Sequence, residues 1–120
     1  MRYLGDTFNV QMVDGLDPFP IPTVRFIKVN LNEVKLHLKR GFVSSIDNAE
    51  LAAVVSNMIK LPVPVNKCDV KLNNHSELIM VNLLGGTLPK GCTSLPEGFE
   101  IEWYLIASDR LFCVVHPENH

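Results

Sequence analysis

The sequence predicts a single small α+β domain, with a mixed or antiparallel sheet of about five strands covered on one face by two main helices. Three observations lead there. Two amphipathic stretches open on helix-capping residues and close at glycine or proline. Phe99 to Ala107 alternates apolar and polar positions without a break, as a half-buried strand does. Several short apolar runs elsewhere are bounded by polar or glycine-containing turns. At 120 residues the chain is one domain by size and long enough to bury a core. We place that domain at residues 1–108 and treat 109–120 as a C-terminal extension.

The elements follow in order. Tyr3 to Val13 reads as a first strand, with Phe8, Val10 and Met12 on one side. Asp14 to Pro22 holds Gly15 and three prolines, so it is a loop. Thr23 to Val29 reads as a second strand, with Val24 and Phe26 inward and Arg25 outward. Asn30 and Glu33 have the spacing of a capping box, and Leu31, Val34 and Leu38 share one helical face. Lys39 and Arg40 suit the negative end of that helix, and Gly41 stops it.

The second helix is expected from Asp47, with Glu50 completing a second capping box. Leu51, Val55, Met58 and Ile59 form its inward stripe, and Pro62 and Pro64 end it. Cys68 to Leu72 and Glu77 to Leu84 flank Asn73-Asn74-His75-Ser76, which reads as a β-hairpin. Gly85-Gly86 breaks its second strand, and Thr87 to Gly98 is mainly loop. Leu111 to Val115 reads as a short edge strand stopped by Pro117.

Composition narrows the function classes. A formal charge of −2 argues against a broad duplex-binding surface, because such affinity comes mainly from neutralising phosphates. Cys68, Cys92 and Cys113 form no paired framework, and the count of three suits a reducing interior. The four histidines are scattered, without zinc-ligand spacing. None has a serine, cysteine or carboxylate at a spacing that argues for a nucleophilic triad. Gly85-Gly86 lacks the following Gly-Lys-Ser/Thr of a phosphate loop. No apolar run reaches spanning length, and the N-terminus has no signal-peptide core, so the expected location is cytoplasmic. Neither a metal nor a cofactor is expected.

The stretch Phe42-Val43-Ser44-Ser45-Ile46-Asp47-Asn48-Ala49-Glu50-Leu51, then Pro64-Val65-Asn66-Lys67, then Leu88-Pro89-Lys90-Gly91, resembles the viral ring nucleases, the type III anti-CRISPR family. Tyr3 to Met12 is similar to that family's opening segment. The resemblance implies a saddle-shaped homodimer whose shared pocket binds cyclic tetra-adenylate. There a ribose 2′-hydroxyl attacks the adjacent phosphate, and a histidine helps the leaving oxygen depart.

The chemical positions all differ here. The family histidine falls on Asn48, whose amide has no proton to exchange near neutral pH. The preceding glycine falls on Asp47, the arginine on Thr87 (or on Gly86 if the gap moves), and the glutamate on Lys90. Asp6, Asn9 and Gln11 replace an asparagine, a serine and a second asparagine on the first strand. The resemblance therefore implies a ligand-binding set of Asp6, Asn9, Gln11, Asp47, Asn48, Thr87 and Lys90, with no catalytic residue. For each the plainer role is a helix-cap, loop or solvated strand position.

The leading expectation is a non-catalytic sponge for a cyclic or nucleotide-derived immune messenger, working as a viral counter-defence protein in the host cytoplasm. The alternatives are a protein-binding inhibitor of a host defence factor, using residues 14–22 and 109–120, or an enzyme with Asp47 or Asp6 as base. No duplex nucleic acid and no membrane is expected as partner.

Overall fold

The computed structural model describes residues 2–8, 12, 24–72 and 76–108. Five strands form one sheet: β1 Arg2–Gly5, β2 Val24–Val29, β3 Val43–Ser44, β4 Glu77–Leu84 and β5 Glu100–Ser108. Their order is β2-β5-β4-β1-β3. β1 runs parallel to both β3 and β4, whereas β5 is antiparallel to β4 and β2. The sheet is mixed, as expected from the sequence.

Helices α1 Leu31–Leu38 and α2 Ala49–Ile59 cover one face. Register explains the packing. Leu4 pairs with Ile79, Ile79 with Leu105, and Val81 with Trp103, which also pairs with Val29. Side chains that pair directly across strands share a face. This row meets Val34 and Leu38 of α1 and Leu51, Val54, Val55 and Ile59 of α2. Leu4, Val34, Val54, Val55 and Ile79 are wholly inaccessible to solvent. Burying each such side chain stabilises the fold by about 1.5–3 kcal/mol before chain entropy is set against it.

The first helix forms as the sequence dictates. Asn30 Oδ1 accepts from the Glu33 backbone N–H at 2.9 Å, and Glu33 Oε1 accepts from the Asn30 N–H at 3.0 Å. Four N–H groups at a helix start lack internal partners, and this pair satisfies two capping bonds reciprocally.

The second helix begins two residues later than expected. Ser45 N–H donates to Leu4 O, and Asn66 N–H donates to Ile46 O, each at 2.8 Å. Those bonds hold the chain extended up to Asn48, so the cap falls there and not on Asp47. Glu50 accordingly forms no capping box. The helix ends at Lys60 in the left-handed region, with φ of 61°.

Other expectations also change. Cys68 to Leu72 forms no hairpin with β4, because both edges of β4 are already occupied by β1 and β5. Instead Ser44 O accepts from Asn66 Nδ2 at 2.7 Å and from Cys68 Sγ at 3.5 Å. The segment then turns Val70 and Leu72 onto the sheet face opposite the helices, against Tyr3, Leu78 and Ile106. Its Leu72 N–H donates to Met12 O at 2.7 Å.

β1 stops at Gly5, short of Phe8 and Met12, which pack as loop residues on the same second cluster. Phe26 is 53% exposed rather than inward; Val29 is the buried residue of β2. Phe26 meets the Phe8 ring edge-on, with centroids 5.1 Å apart. Cys92 is half-buried against the main core. Residues 73–75 of the expected turn at 73–76, the loop at 14–22, the edge strand at 111–115 and the extension at 109–120 lie outside the described residues.

Candidate functional site

A cleft of about 320 Å³ opens where β1 ends, α2 begins and the loop after β4 folds back. Its polar lining is Asp6, Asn48, Asn82 and Thr87, and its apolar lining includes Leu51, Val81, Leu83 and Leu88. Three of the seven sequence-expected site residues therefore share one cavity. Asp47 and Lys90 are exposed and do not line it. Asn9 and Gln11 lie outside the described residues.

Local structure fixes each polar group. Asn48 is the N-cap of α2: its Oδ1 accepts from the Leu51 N–H at 2.8 Å. A backbone N–H must meet the oxygen, so the amide nitrogen of Asn48 is left as a donor. Asn82 is oriented the other way. Its Nδ2 donates to Glu102 Oε1 at 3.2 Å, and an ionised carboxylate only accepts, so the Asn82 oxygen remains as an acceptor. Glu102 is held in turn by Lys28 Nζ at 3.0 Å and Tyr104 Oη at 3.0 Å. These donors, led by Lys28, keep the Glu102 carboxyl below its ordinary range.

Asp6 sits half-buried just past β1. Burial raises its carboxyl above the ordinary aspartate value, and the nearby charge of Asp47 adds to that rise, against a backbone hydrogen bond that lowers it. Two carboxylates near one cavity disfavour a ligand dense in phosphate.

The loop bearing Thr87 is docked rather than free. Gly91 N–H donates to Glu50 Oε2 at 3.0 Å, and Asn57 Nδ2 donates to Thr93 O at 3.2 Å. The Gly91 bond holds the Glu50 carboxyl low, assisted by the charge of Lys90. Leu88, just ahead of these ties, inserts into the core. Glu50 thus ties this loop to the first turn of α2 rather than completing a capping box.

Sequence reasoning missed Asn82 and the Glu50 tie. Asn82 carried a signal: it is the single amide in the apolar run Leu78 to Leu84. Glu50 carried none, because its Gly91 partner is 41 residues away. Among the described residues, no group of three or more histidines, cysteines or carboxylates could hold a metal ion. No helix among them is long and apolar enough to cross a membrane.

Fold and cleft together define a small mixed-sheet α+β domain with an amide- and carboxylate-lined cavity at the N-terminus of its second helix. The chain belongs to the STIV B116-like family, whose model matches residues 8–102. Its structure is similar to that of B116 of Sulfolobus turreted icosahedral virus, with a TM-score of 0.72 at 18% identity. That match covers 88% of this chain and 97% of the viral one, and at such identity it is a likeness of fold. Among curated proteins no sequence matches this chain.

Proposed function

We propose that this chain is a non-catalytic binder of a cyclic or otherwise nucleotide-derived signal, and that it serves a virus by keeping that signal from its receptor. One observation carries the reading. Asp6, Asn48 and Thr87, separated widely in sequence but singled out by the resemblance to ring nucleases, line the same cleft. The viral origin of B116 supports the setting.

Binding without cleavage follows from the residues present. Where the resembled family carries an imidazole, Asn48 offers a carboxamide whose oxygen is engaged by the Leu51 N–H. Losing a general acid lowers a rate by roughly two to four decades. Thr87 offers a hydroxyl where an arginine would clamp a phosphate through two parallel bonds. The Asn48 amide nitrogen, the Asn82 oxygen, the Thr87 hydroxyl and the Asp6 carboxyl instead suit the amino, imino and hydroxyl groups of a base or ribose. In a homodimer two copies of this cleft would act on one ligand, with Asp47, Lys90, Asn9 and Gln11 as further contacts.

Native mass spectrometry of freshly purified protein reads subunit count and any retained small molecule together. Titration with a panel of cyclic di-, tri- and tetranucleotides then tests affinity. We expect a retained or added nucleotide to bind, and substitution of Asn82 or Thr87 by alanine to weaken it. Absence of binding across the panel would sink the proposal.

A second reading makes the protein an enzyme with Asp6 as base. The raised Asp6 carboxyl favours it, since a base works best with its pKa near the working pH. Linear products after incubation with the same panel, abolished by Asp6→Asn, would establish it.

A further inference from the structure

A second concavity, larger than the first, lies on the far side of the helical layer. It is an open hollow of about 530 Å³ between α1 and the end of α2. Ile59 and Leu61 supply apolar lining, and Leu36 stands beside them with 69% of its surface exposed. Lys35, Lys39 and Lys60 surround the opening. None of the three has a carboxylate within ion-pair distance among the described residues. Arg40 extends the basic rim on the other side of Leu36.

Helix ends explain part of this pattern. Lys35 and Lys39 lie at the C-terminal end of α1, and Lys60 caps α2. Two helix C-termini carry about half a negative charge each, which four cations exceed by roughly three. The dipoles do not account for Leu36, which has no core to cover, or for its place beside an apolar hollow. Exposed apolar surface ringed by charge is the pattern of a protein-binding surface.

We propose that this groove docks an acidic amphipathic segment of another protein, with aliphatic anchors against Leu36 and Leu61 and carboxylates on Lys35, Lys39 and Lys60. Lys35 and Lys39 are one helical turn apart, so they match carboxylates one turn apart on a partner helix. A second copy of this chain is a poor occupant: a two-fold contact would set this lysine rim against itself. A membrane is a poor one too. Three to four basic residues give about 1 kcal/mol each at an anionic surface, too little for stable attachment. The proposal is independent of the nucleotide reading, because this groove shares no lining residue with the cleft.

Display selection from a random library of peptides about four helical turns long tests it, with the full chain as bait. The expected winners carry paired Leu or Ile flanked by Asp or Glu, and bind as labelled peptides with affinity that falls as salt rises. Leu36→Ser, at an exposed site that leaves the core intact, should weaken them at least roughly tenfold. A Lys35→Ser, Lys39→Ser, Lys60→Asn variant should do so by a similar factor, asparagine tolerating the left-handed backbone at 60. Circular dichroism melts confirm that both variants fold. Four results would each overturn the proposal: no enrichment, winners without acidic residues, peptides that bind both variants as they bind the native chain, or displacement of the winners by anionic phospholipid vesicles.

Discussion

Replacing Asn48 by alanine separates the two duties that the structure gives this side chain. The first is mechanical. Asn48 Oδ1 satisfies the Leu51 N–H at 2.8 Å, at the entrance to a helix that supplies five buried residues to the core. Removing an asparagine cap destabilises by about 1 kcal/mol, within a range of 0.5–2. For a domain of this size that is a fall of about 3–5 °C in melting temperature. With urea slopes of about 1–3 kcal/mol per molar, the midpoint should drop by roughly 0.3–1 M. Asn48→Asp keeps the cap acceptor and suits the positive helix end, so its stability at neutral pH should stay within about 0.5 kcal/mol of native. It removes the amide donor, however, and adds a third carboxylate near Asp6 and Asp47. Under the binding proposal, Asn48→Asp should fold like the native chain and lose ligand. Urea unfolding followed by circular dichroism, paired with nucleotide titration, reads both duties. If Asn48→Ala melts within about 1 °C of native, the cap contributes little and the reasoning fails.

Ile79→Ala, at a site with no solvent access between sheet and helices, should lower stability by about 2–5 kcal/mol in the same urea assay. Gly85→Ala should be costlier than Gly91→Ala when their melts are compared. Both need a positive φ, but a Cβ at Gly85 would lie 2.8 Å from Gly98 O and 2.9 Å from Phe99 Cα, whereas Gly91 faces open space. Asp6, with its carboxyl raised by burial, holds its proton more tightly folded than unfolded, so stability should decline as pH climbs from the ordinary aspartate range through the raised value. Asp6→Asn should flatten that decline and stabilise the neutral-pH protein in parallel melts. Glu50→Ala should speed hydrogen exchange at the Gly91 amide, and the native tie should weaken as pH falls through the lowered Glu50 value.

Much of the fold was legible because it rests on local signals. Asn30 and Glu33 are three residues apart, so their capping box needs nothing distant. Phe99 to Ala107 alternates because β5 has helices on one face and, on the other, the Glu102–Tyr104 pair before the second cluster begins at Ile106. What escaped was non-local. β3 is two residues long, too short for periodicity, and exists because β1 offers it a parallel edge. The Cys68 to Leu72 segment looked like a hairpin arm by composition. It could not be one once β1 and β5 had taken both sides of β4, and no pattern within the segment announces that.

The site divides along the same line, and the division bears on how the cleft works. Asp6, Asn48 and Thr87 could be named together only through resemblance, since no spacing rule joins positions that far apart; their convergence depends on β1 lying beside β4 and on α2 starting at that end of the sheet. Their orientations depend on still more distant partners. Asn82 presents its oxygen because Glu102, twenty residues on and across the β4–β5 ladder, takes its amide hydrogen. Glu102 is in place to do so because Lys28 of β2 and Tyr104 hold it. Three strands thus set the direction of one amide. A side chain oriented in this way loses little rotamer freedom on meeting a ligand, so more of each new hydrogen bond appears as affinity. The Asn48 amide is preset in the same manner by the helix it caps. Under the binding proposal, a preset Asn48 donor and Asn82 acceptor would select ligands by their hydrogen-bonding pattern, a task that needs no catalytic group.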